Sequence, residues 1–437
     1  MNLFLNVKNF GRIEQARIAL TGFNLFVGDN NSGKSYLLQL AEGLLKQLPT
    51  LSLAVARKLV KDDVKAYTFD NTALQQMISI INDILNNSKD IIIQDIFQAP
   101  VQIEALWLEV ANFEQQFTVT SELTPTGDMR QFNICEENDK VAASLRTVKE
   151  ISCAEGFAYS MVAILATKVL GISYFPELFS SRTIYLPSSR AGMLLLYRQF
   201  FANSKASEIP LAGEEQGQQA SQPLPLPIMD FMRFLQTYKP SSIPKNEDLQ
   251  RFIMEHLADG KISMGANEMQ YQPANTNLVI QMPLCSSMIN ELTPIVQVLT
   301  ATSNFKYIFY DEVETCLHPL KQIEMARLLV RIVNSGINLT VSTHSDTMAI
   351  ALNNLFLLSF SHSAKKDDLL QELGYTSEDL LKTEPPRVYQ FSRRGDKTIV
   401  TELTMSLNPR IGFKFEQFWK SGEKIYSDAS AIMEASS

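Results

Sequence analysis

The sequence predicts an α/β fold with a mixed sheet core, and three observations carry this prediction. A glycine-rich loop, Gly28–Ser35, stands between a short apolar strand and a helix. Apolar strands and amphipathic helices alternate again from about residue 306 to residue 341, which is typical of parallel pairing. The long region between these two parts has mostly helical apolar spacing, so we expect a mainly helical insertion in the α/β core.

Composition places the chain among globular proteins. It has 437 residues, of which 45% are hydrophobic and 20% charged, enough for two or three structural units. No run of about eighteen apolar residues is present, so we expect no membrane span and no membrane partner. The first ten residues alternate apolar and polar side chains, which predicts a first strand instead of a secretory leader.

The number and spacing of cysteines and the net charge indicate in which cell compartment the protein works and which partners it binds. The four cysteines are scattered without a Cys-x-x-Cys pair, which disfavours a zinc site or disulfide framework and fits a reducing cytoplasm. We therefore expect a cytoplasmic protein. The net charge of -8 does not favour general nucleic-acid binding, although a local basic face stays open as an alternative.

The pattern along the chain predicts an interrupted head. The first strands are expected at Leu3–Phe10, Glu14–Leu20 and Phe23–Val27, and a strand pair is expected near residues 387–403. We divide the chain into a head, an inserted β/helical region, and a helical insertion with a polar, Gln- and Pro-rich loop that we expect to be mobile. The head comprises residues 1–45, 182–195 and 262–437. The inserted β/helical region is 46–181, and the helical insertion is 196–261 with its loop at 203–227.

The glycine loop has the chemistry of a phosphate-binding P-loop. Gly28–Ser35 reads Gly-x-x-x-x-Gly-Lys-Ser, and its backbone N–H groups at a helix N-terminus suit a triphosphate. Lys34 is expected near the β- and γ-phosphates, and the Ser35 hydroxyl is the expected Mg²⁺ ligand. The cofactors predicted are therefore ATP and Mg²⁺. The loop residues expected to contact nucleotide are Asn30, Asn31, Ser32, Gly33, Lys34, Ser35 and Tyr36.

Two carboxylates and a histidine complete the predicted site. Asp311 and Glu312 end the apolar run of residues 307–310, where an Asp can hold Mg²⁺ as a Walker B residue does. Glu312 is expected to orient or deprotonate the attacking water. His344 ends the next strand along the chain, where it can contact the γ-phosphate or that water. We expect Ser35 and Asp311 as metal ligands, and Glu312 and His344 as catalytic residues.

These motifs together resemble a known family. Residues 311–319, Asp-Glu-Val-Glu-Thr-Cys-Leu-His-Pro, and residues 342–345 resemble the Walker B, D-loop and H-loop of ABC-type ATPases. The Glu-x-x-Leu-His-Pro form is that of the OLD, RecF and SMC branch. The resemblance implies an ABC-type head that dimerises, with ATP held between two heads and Leu317–Pro319 packed across the dimer. His318 and Pro319 also suit an ordinary helix start.

Two further segments resemble parts of such heads. Residues 284–292 are similar to the signature motif that meets the partner head's γ-phosphate, which implies Ser286 or Ser287 as the contact across the dimer. Met288 stands where the family usually has Gly, which implies looser closure and slow turnover. Residues 186–192 resemble a Leu-Pro-x-x-Arg segment, and Arg190 is expected either to sense phosphate at the active site or to form an ordinary ion pair.

The resemblance also implies a role. OLD proteins carry a nuclease after the ATPase, but the residues after His344 hold no Asp-x-Asp at a strand end, so we expect no nuclease in this chain. Stand-alone heads of this style resemble the ATPase subunits of bacterial anti-phage systems of the PARIS and Septu type. That implies an oligomeric ATPase that acts as sensor or scaffold for a separately encoded effector, expected to be a nuclease. The alternatives are a RecF-like ATPase for DNA repair or DNA-end binding and, ranked last, a transporter subunit.

Overall fold

A computed structural model gives the structure of most of the chain. The described residues are 2–59, 66–111, 113–124, 129–136, 140–148, 152–165, 183–206, 224–266, 268–361, 366–407, 410–415, 423–424, 426–430 and 432–433.

The strands agree closely with the expected positions in the head. They are β1 (Asn2–Phe10), β2 (Ile13–Ala19), β3 (Phe23–Gly28), β4 (Ala66–Phe69), β5 (Ala105–Ala111), β6 (Phe117–Leu123), β7 (Met129–Glu136), β8 (Lys140–Val148), β9 (Thr183–Leu186), β10 (Gly260–Met264), β11 (Met269–Pro273), β12 (Ile280–Gln281), β13 (Tyr307–Tyr310), β14 (Asn338–Ser342), β15 (Arg387–Arg394), β16 (Lys397–Leu403), β17 (Ser406–Leu407) and β18 (Arg410–Gly412).

The helices follow the same chain order. They are α1 (Lys34–Leu59), α2 (Asn71–Asn87), α3 (Lys89–Phe97), α4 (Cys153–Ile164), α5 (Arg190–Ala206), α6 (Leu226–Thr237), α7 (Glu247–Phe252), α8 (Ser287–Thr300), α9 (Pro319–Asn334), α10 (Asp346–Ser359) and α11 (Lys366–Leu373). A π-helical turn at Ile253–Leu257 continues α7. None of the helices in the described ranges is long and apolar enough to cross a bilayer.

A nine-stranded mixed sheet forms the core. Its order is β5-β1-β2-β16-β15-β3-β14-β13-β9. The strands from β15 to β9 are parallel to one another, whereas β1 pairs antiparallel with both β2 and β5. The predictions of an α/β class and of a mixed sheet are confirmed. Because the carboxyl ends of parallel strands meet at one edge, the ends of β3, β9, β13 and β14 come together there.

Both faces of this sheet are covered by helices. The strand β3 is buried along its whole length and alternates its side chains, with Phe26 on one face and Leu25 and Val27 on the other. Residues of α1 to α4 build the core on the Phe26 face, and residues of α5 to α10 build the core on the opposite face. The strand that carries the glycine loop is therefore held from both sides.

The insertions differ in detail from the expected division. The boundary placed after residue 45 falls inside α1, and β5 of the first insertion joins the main sheet as its edge strand. The strands β4, β6, β7 and β8 form a separate four-stranded sheet. In the second insertion, α5 continues to Ala206 and α6 begins at Leu226, so both ends of the loop predicted at 203–227 are helical. Residues 207–223 of that loop lie outside the described residues. The division into domains stays a prediction.

Candidate nucleotide-binding site

The glycine loop is braced by strand β15 of the C-terminal part. Gly28 has a φ of +128°, and a Cβ at this residue would lie 2.1 Å from the carbonyl oxygen of Phe391. The next residue, Asp29, donates its N–H to that carbonyl at 3.0 Å. The Asp29 carboxylate accepts the N–H of Arg393 at 2.8 Å. Only glycine fits at position 28, since the close approach and the positive φ both exclude a side chain.

Lys34 begins α1 and points into the loop. Its side chain is buried, with an exposed fraction of 3%, and its ammonium donates to the carbonyls of Gly28 (3.0 Å) and Asp29 (2.7 Å). Burial lowers the pKa of Lys34 to about 8, although the nearby charges of Asp311 and Glu312 act in the opposite direction. The ammonium is thus held by weak neutral acceptors that phosphate oxygens would outcompete.

The other predicted loop residues surround the N-terminus of α1. Asn30 and Asn31 are exposed, and Asn31 has a left-handed φ of 56°. The Ser32 hydroxyl is buried and accepts from the Lys34 ammonium at 3.3 Å. Tyr36 is half exposed and stacks on Phe97, with the two ring centroids 5.3 Å apart. Gly33 and Ser35 lie at the start of α1, whose first N–H groups have no acceptor within the helix.

Asp311 lies at the carboxyl end of β13 and is held on both of its carboxylate oxygens. Its exposed fraction is 1%. One oxygen, Oδ2, accepts the Tyr185 hydroxyl of β9 at 2.8 Å, and the other, Oδ1, accepts the Ser342 hydroxyl of β14. The Tyr185 hydroxyl in turn accepts the side-chain amide of Gln39 on α1 at 3.3 Å. Three different elements therefore fix the orientation of this carboxylate.

Glu312 has a constrained backbone and an accessible carboxylate. Its φ is 47°, in the left-handed region, and its N–H donates to the Ser342 hydroxyl at 2.9 Å. The side chain is 38% exposed, and its Oε1 lies 3.8 Å from Nε2 of His344. Burial is the largest cause that raises the pKa of Glu312, and the negative charges of Asp311 and Glu314 raise it further. A carboxylate with a raised pKa is a better proton acceptor for water.

His344 follows the end of β14 beside these carboxylates. Its main-chain N–H donates to the Glu314 carboxylate at 2.6 Å. Burial lowers the pKa of His344, and the positive charge of Lys34 lowers it further, so the imidazole is neutral at pH 7. A neutral imidazole can donate one hydrogen bond and accept another.

The oxygen ligands expected for Mg²⁺ are present in suitable types. In phosphate-transferring sites Mg²⁺ is usually held by one or two protein oxygens together with substrate phosphates. The Ser35 hydroxyl at the start of α1 and the Asp311 carboxylate provide such a pair, and Asp311 acts electrostatically on the adjacent Lys34. When bound there, the ion would neutralise charge on the phosphates. The residues therefore fit the ion.

Arg190 is buried and bound to protein groups, which supports the ion-pair alternative. Its exposed fraction is 1%. The guanidinium donates to the carbonyls of Pro187 (3.1 Å), Asp311 (2.9 Å) and Glu312 (3.2 Å). It also forms an ion pair with Glu291 of α8, with 2.7 Å between the charged atoms. The structure thus shows the ion pair, and direct contact of Arg190 with phosphate stays a prediction.

The two candidate serines for the contact across a dimer lie on the surface. Ser286 caps α8, since its hydroxyl accepts the N–H of Ile289 at 3.4 Å, and Ser287 is the first residue of the helix. Both are exposed, and Met288 packs partly against the core. His318 likewise caps α9 through the N–H of Leu320, as an ordinary helix start would. The role of these serines in a dimer stays a prediction.

Sequence reasoning missed four residues of the site. Tyr185, Gln39 and Ser342 build the contacts of Asp311, and Glu314 holds the backbone of His344. A signal existed for Ser342, which stands at a strand end directly before Thr343 and His344. Tyr185 in the apolar run of β9 was a weaker signal. Nothing in the helical pattern of α1 distinguished Gln39.

A family model matches the N-terminal part of the chain, which carries the glycine loop. Residues 1–163 match a family model described as AAA_15, AAA ATPase domain. No curated protein matches the chain. The predicted α/β class with a mixed sheet core is confirmed by the sheet order, and the match of residues 1–163 to an ATPase domain is consistent with ATP binding.

Among solved structures, the chain is similar to three SMC head structures. An SMC head bound to the C-terminal winged-helix domain of ScpA is 14% identical, with a TM-score of 0.36, over 94% of this chain and 99% of that one. The SMC head domain of Thermotoga maritima is 10% identical, with a TM-score of 0.33, over 92% and 100%. The Pyrococcus furiosus head with an extended coiled coil, bound to the C-terminal domain of ScpA, is 13% identical, with a TM-score of 0.35, over 97% and 98%.

Proposed function

We propose that this chain is an ATP-hydrolysing head that dimerises around nucleotide and acts as sensor or scaffold for a separate effector, a nuclease, in cytoplasmic anti-phage defence. One observation carries the ATPase part. The charges of Asp311, Glu312 and Glu314 act to raise the pKa of Lys34 in the glycine loop. The charge of Lys34 in turn lowers the pKa of His344, so these groups are close together. Groups for binding phosphate, holding metal and accepting a proton therefore share one edge of the sheet.

We assign each residue of the site one role in ATP hydrolysis. Lys34 and the N–H groups at the start of α1 bind the phosphates. Glu312, with a raised pKa and an accessible carboxylate, takes a proton from the attacking water. His344 is neutral, and its Nε2 lies 3.8 Å from Oε1 of Glu312. Its imidazole can therefore hold the water or a γ-phosphate oxygen by a hydrogen bond.

Dimerisation is supported by what lies exposed at the start of α8. Ser286 accepts an N–H of its own helix, which leaves its hydroxyl hydrogen free to donate. Ser287 stands beside it on the surface at the same helix N-terminus, where an anion is favoured. A partner head's γ-phosphate is such an anion. Met288 in place of glycine adds bulk here, so we expect slow turnover.

A separate effector is supported by what the C-terminal part contains. The nearest acidic pair there, Asp367 and Asp368, lies in the first turn of α11 on the surface. A metal-dependent nuclease site needs carboxylates that converge on the ion, whereas this pair projects from an exposed helical turn. We propose that a separate protein supplies the nuclease activity that the resemblance implies.

The test compares wild type, Glu312→Gln and Lys34→Ala in Mg²⁺ and ATP. We expect wild type to hydrolyse ATP slowly, Glu312→Gln to bind ATP but turn it over at least about 100-fold more slowly, and Lys34→Ala to lose ATP binding. Light scattering after gel filtration should show a dimer or higher oligomer for Glu312→Gln with ATP. Normal turnover by Glu312→Gln, or no ATP binding by wild type, would overturn the proposal.

The effector part is tested on the intact assembly from its own host. Native mass spectrometry is expected to find a second protein bound to this chain, with nuclease activity that differs between wild type and Glu312→Gln. If native mass spectrometry instead finds no second protein bound to this chain and DNA stimulates its ATP turnover, the RecF-like alternative replaces the effector role.

A further inference from the structure

We propose that Tyr185 is a positioning residue that orients Asp311 toward the nucleotide-bound metal ion. The inference rests on the proposed function and adds to it a residue outside the glycine loop and the acidic pair. It starts from one contact: the Tyr185 hydroxyl lies 2.8 Å from Oδ2 of Asp311, between neighbouring parallel strands β9 and β13.

Tyr185 can act only as a donor to this carboxylate. An ionised carboxylate only accepts hydrogen bonds, whereas a phenol O–H can donate one, so Tyr185 donates to Asp311. The Gln39 amide donates to the same hydroxyl at 3.3 Å, which occupies an acceptor site and turns the hydrogen toward Asp311. The direction of the hydrogen bond is therefore fixed.

The network leaves Asp311 able to bind metal while holding it still. Each carboxylate oxygen has two lone-pair directions, and one on each is taken, by Tyr185 and by Ser342. No further hydrogen bond from the described residues reaches this carboxylate, so one direction on each oxygen is left for a metal ion or its water. Because Asp311 is buried with an exposed fraction of 1%, its side chain has little freedom except what these two donors allow.

The network also connects the metal ligand to the glycine loop. Gln39 lies on α1, the helix that starts at Lys34 and bears Ser35. Tyr185 thus links the helix that carries one expected metal ligand to the strand end that carries the other. Outer partners of this kind typically change metal affinity by about 10- to 100-fold when they are removed.

The test measures metal binding directly. Mn²⁺ replaces Mg²⁺, and free Mn²⁺ is quantified by electron paramagnetic resonance with a non-hydrolysable ATP analogue bound to the full chain. In Tyr185→Phe we expect the Kd for Mn²⁺ to rise about 10-fold. Binding of the analogue in EDTA, without metal, is expected to stay unchanged, which a general loss of structure would not allow.

Tyr307→Phe is the matched control. Tyr307 lies on β13 on the same face of the sheet as Tyr185, equally buried, but at the opposite end of its strand from Asp311. This variant is expected to bind Mn²⁺ as wild type does. Gln39→Leu is the second variant, which keeps the Tyr185 hydroxyl but frees its rotation, and a smaller loss of Mn²⁺ affinity is expected.

The outcomes separate the inference from the function beneath it. Equal or tighter Mn²⁺ binding by Tyr185→Phe would overturn the inference alone. If Tyr185→Phe does not fold, Gln39→Leu decides, and wild-type Mn²⁺ affinity in that variant overturns the inference. A wild-type protein that binds no analogue in EDTA or with metal overturns the proposed function, and the inference with it.

Discussion

Arg190 donates a hydrogen bond to the main-chain carbonyl of Glu312 at 3.2 Å, and Glu312 is in the left-handed region with a φ of 47°. A non-glycine residue in this conformation costs on the order of 1–3 kcal/mol and persists only when its surroundings hold it. The same guanidinium is paired with Glu291 of α8. The backbone geometry of Glu312, the proposed proton acceptor, and the placement of α8 therefore depend on one buried arginine.

The first prediction concerns stability at this arginine. Arg190→Ala leaves Glu291 buried without its partner, so we expect the free energy of unfolding to fall by about 3–5 kcal/mol in urea denaturation. The control is Arg198→Ala on the same helix, α5, whose ion pair with Glu268 is exposed and should contribute less than about 1 kcal/mol. Equal effects of the two substitutions would contradict the buried bridge.

The second prediction concerns the close approach of the glycine loop to β15. In Gly28→Ala, the new Cβ would overlap the Phe391 carbonyl, so we expect a loss of about 3 kcal/mol in stability together with loss of ATP binding. Gly192→Ala is the control, because Gly192 lies in α5 with open space around its Cβ direction. That change should be neutral or stabilise by up to about 1 kcal/mol. Wild-type ATP affinity in Gly28→Ala would refute the contact.

The third prediction concerns protons taken up with ATP. In the free protein the pKa of Lys34 is about 8, and bound phosphates must raise it, because negative charge favours the ammonium. ATP binding at pH 8 should therefore take up about half a proton at this site, and near pH 6.5 almost none. Calorimetry in buffers of different ionisation enthalpy measures this number. In Lys34→Arg the uptake should vanish, since arginine stays charged, and persistent uptake there would assign the proton elsewhere.

The fourth prediction concerns the charge of His344. Because burial and Lys34 lower the pKa of His344, its neutral form acts at pH 7, and a neutral amide should partly replace it. We expect single-turnover hydrolysis to fall by about 100-fold in His344→Ala but by no more than about 10-fold in His344→Gln. His256→Ala, at a histidine stacked on Phe252, should leave the rate unchanged. Equal rates for the alanine and glutamine variants would mean that hydrogen bonding by His344 is unimportant.

The sequence predicted those parts of the site that are encoded locally. The glycine loop, Asp311 and His344 each stand at a strand end with a recognisable pattern, so their positions followed from strand order. The contacts of Asp311 did not, because Tyr185 and Gln39 meet only through the pairing of distant elements. The role of Arg190 depended on burial, which local spacing does not report. The boundary expected after residue 45 falls within α1, because nothing in the apolar spacing there shows how far the helix continues.

The pairing of Asp29 with Arg393 joins residues 364 positions apart. During synthesis at about 5–20 residues per second, strand β15, which contacts the glycine loop, is therefore made roughly 20–70 seconds after the loop itself. Until β15 emerges from the ribosome, one hydrogen-bonding edge of β3 has no partner. Nascent chains of this protein thus remain exposed to aggregation for longer than chains with local pairing, and they acquire a competent nucleotide pocket only after β15 has been synthesised.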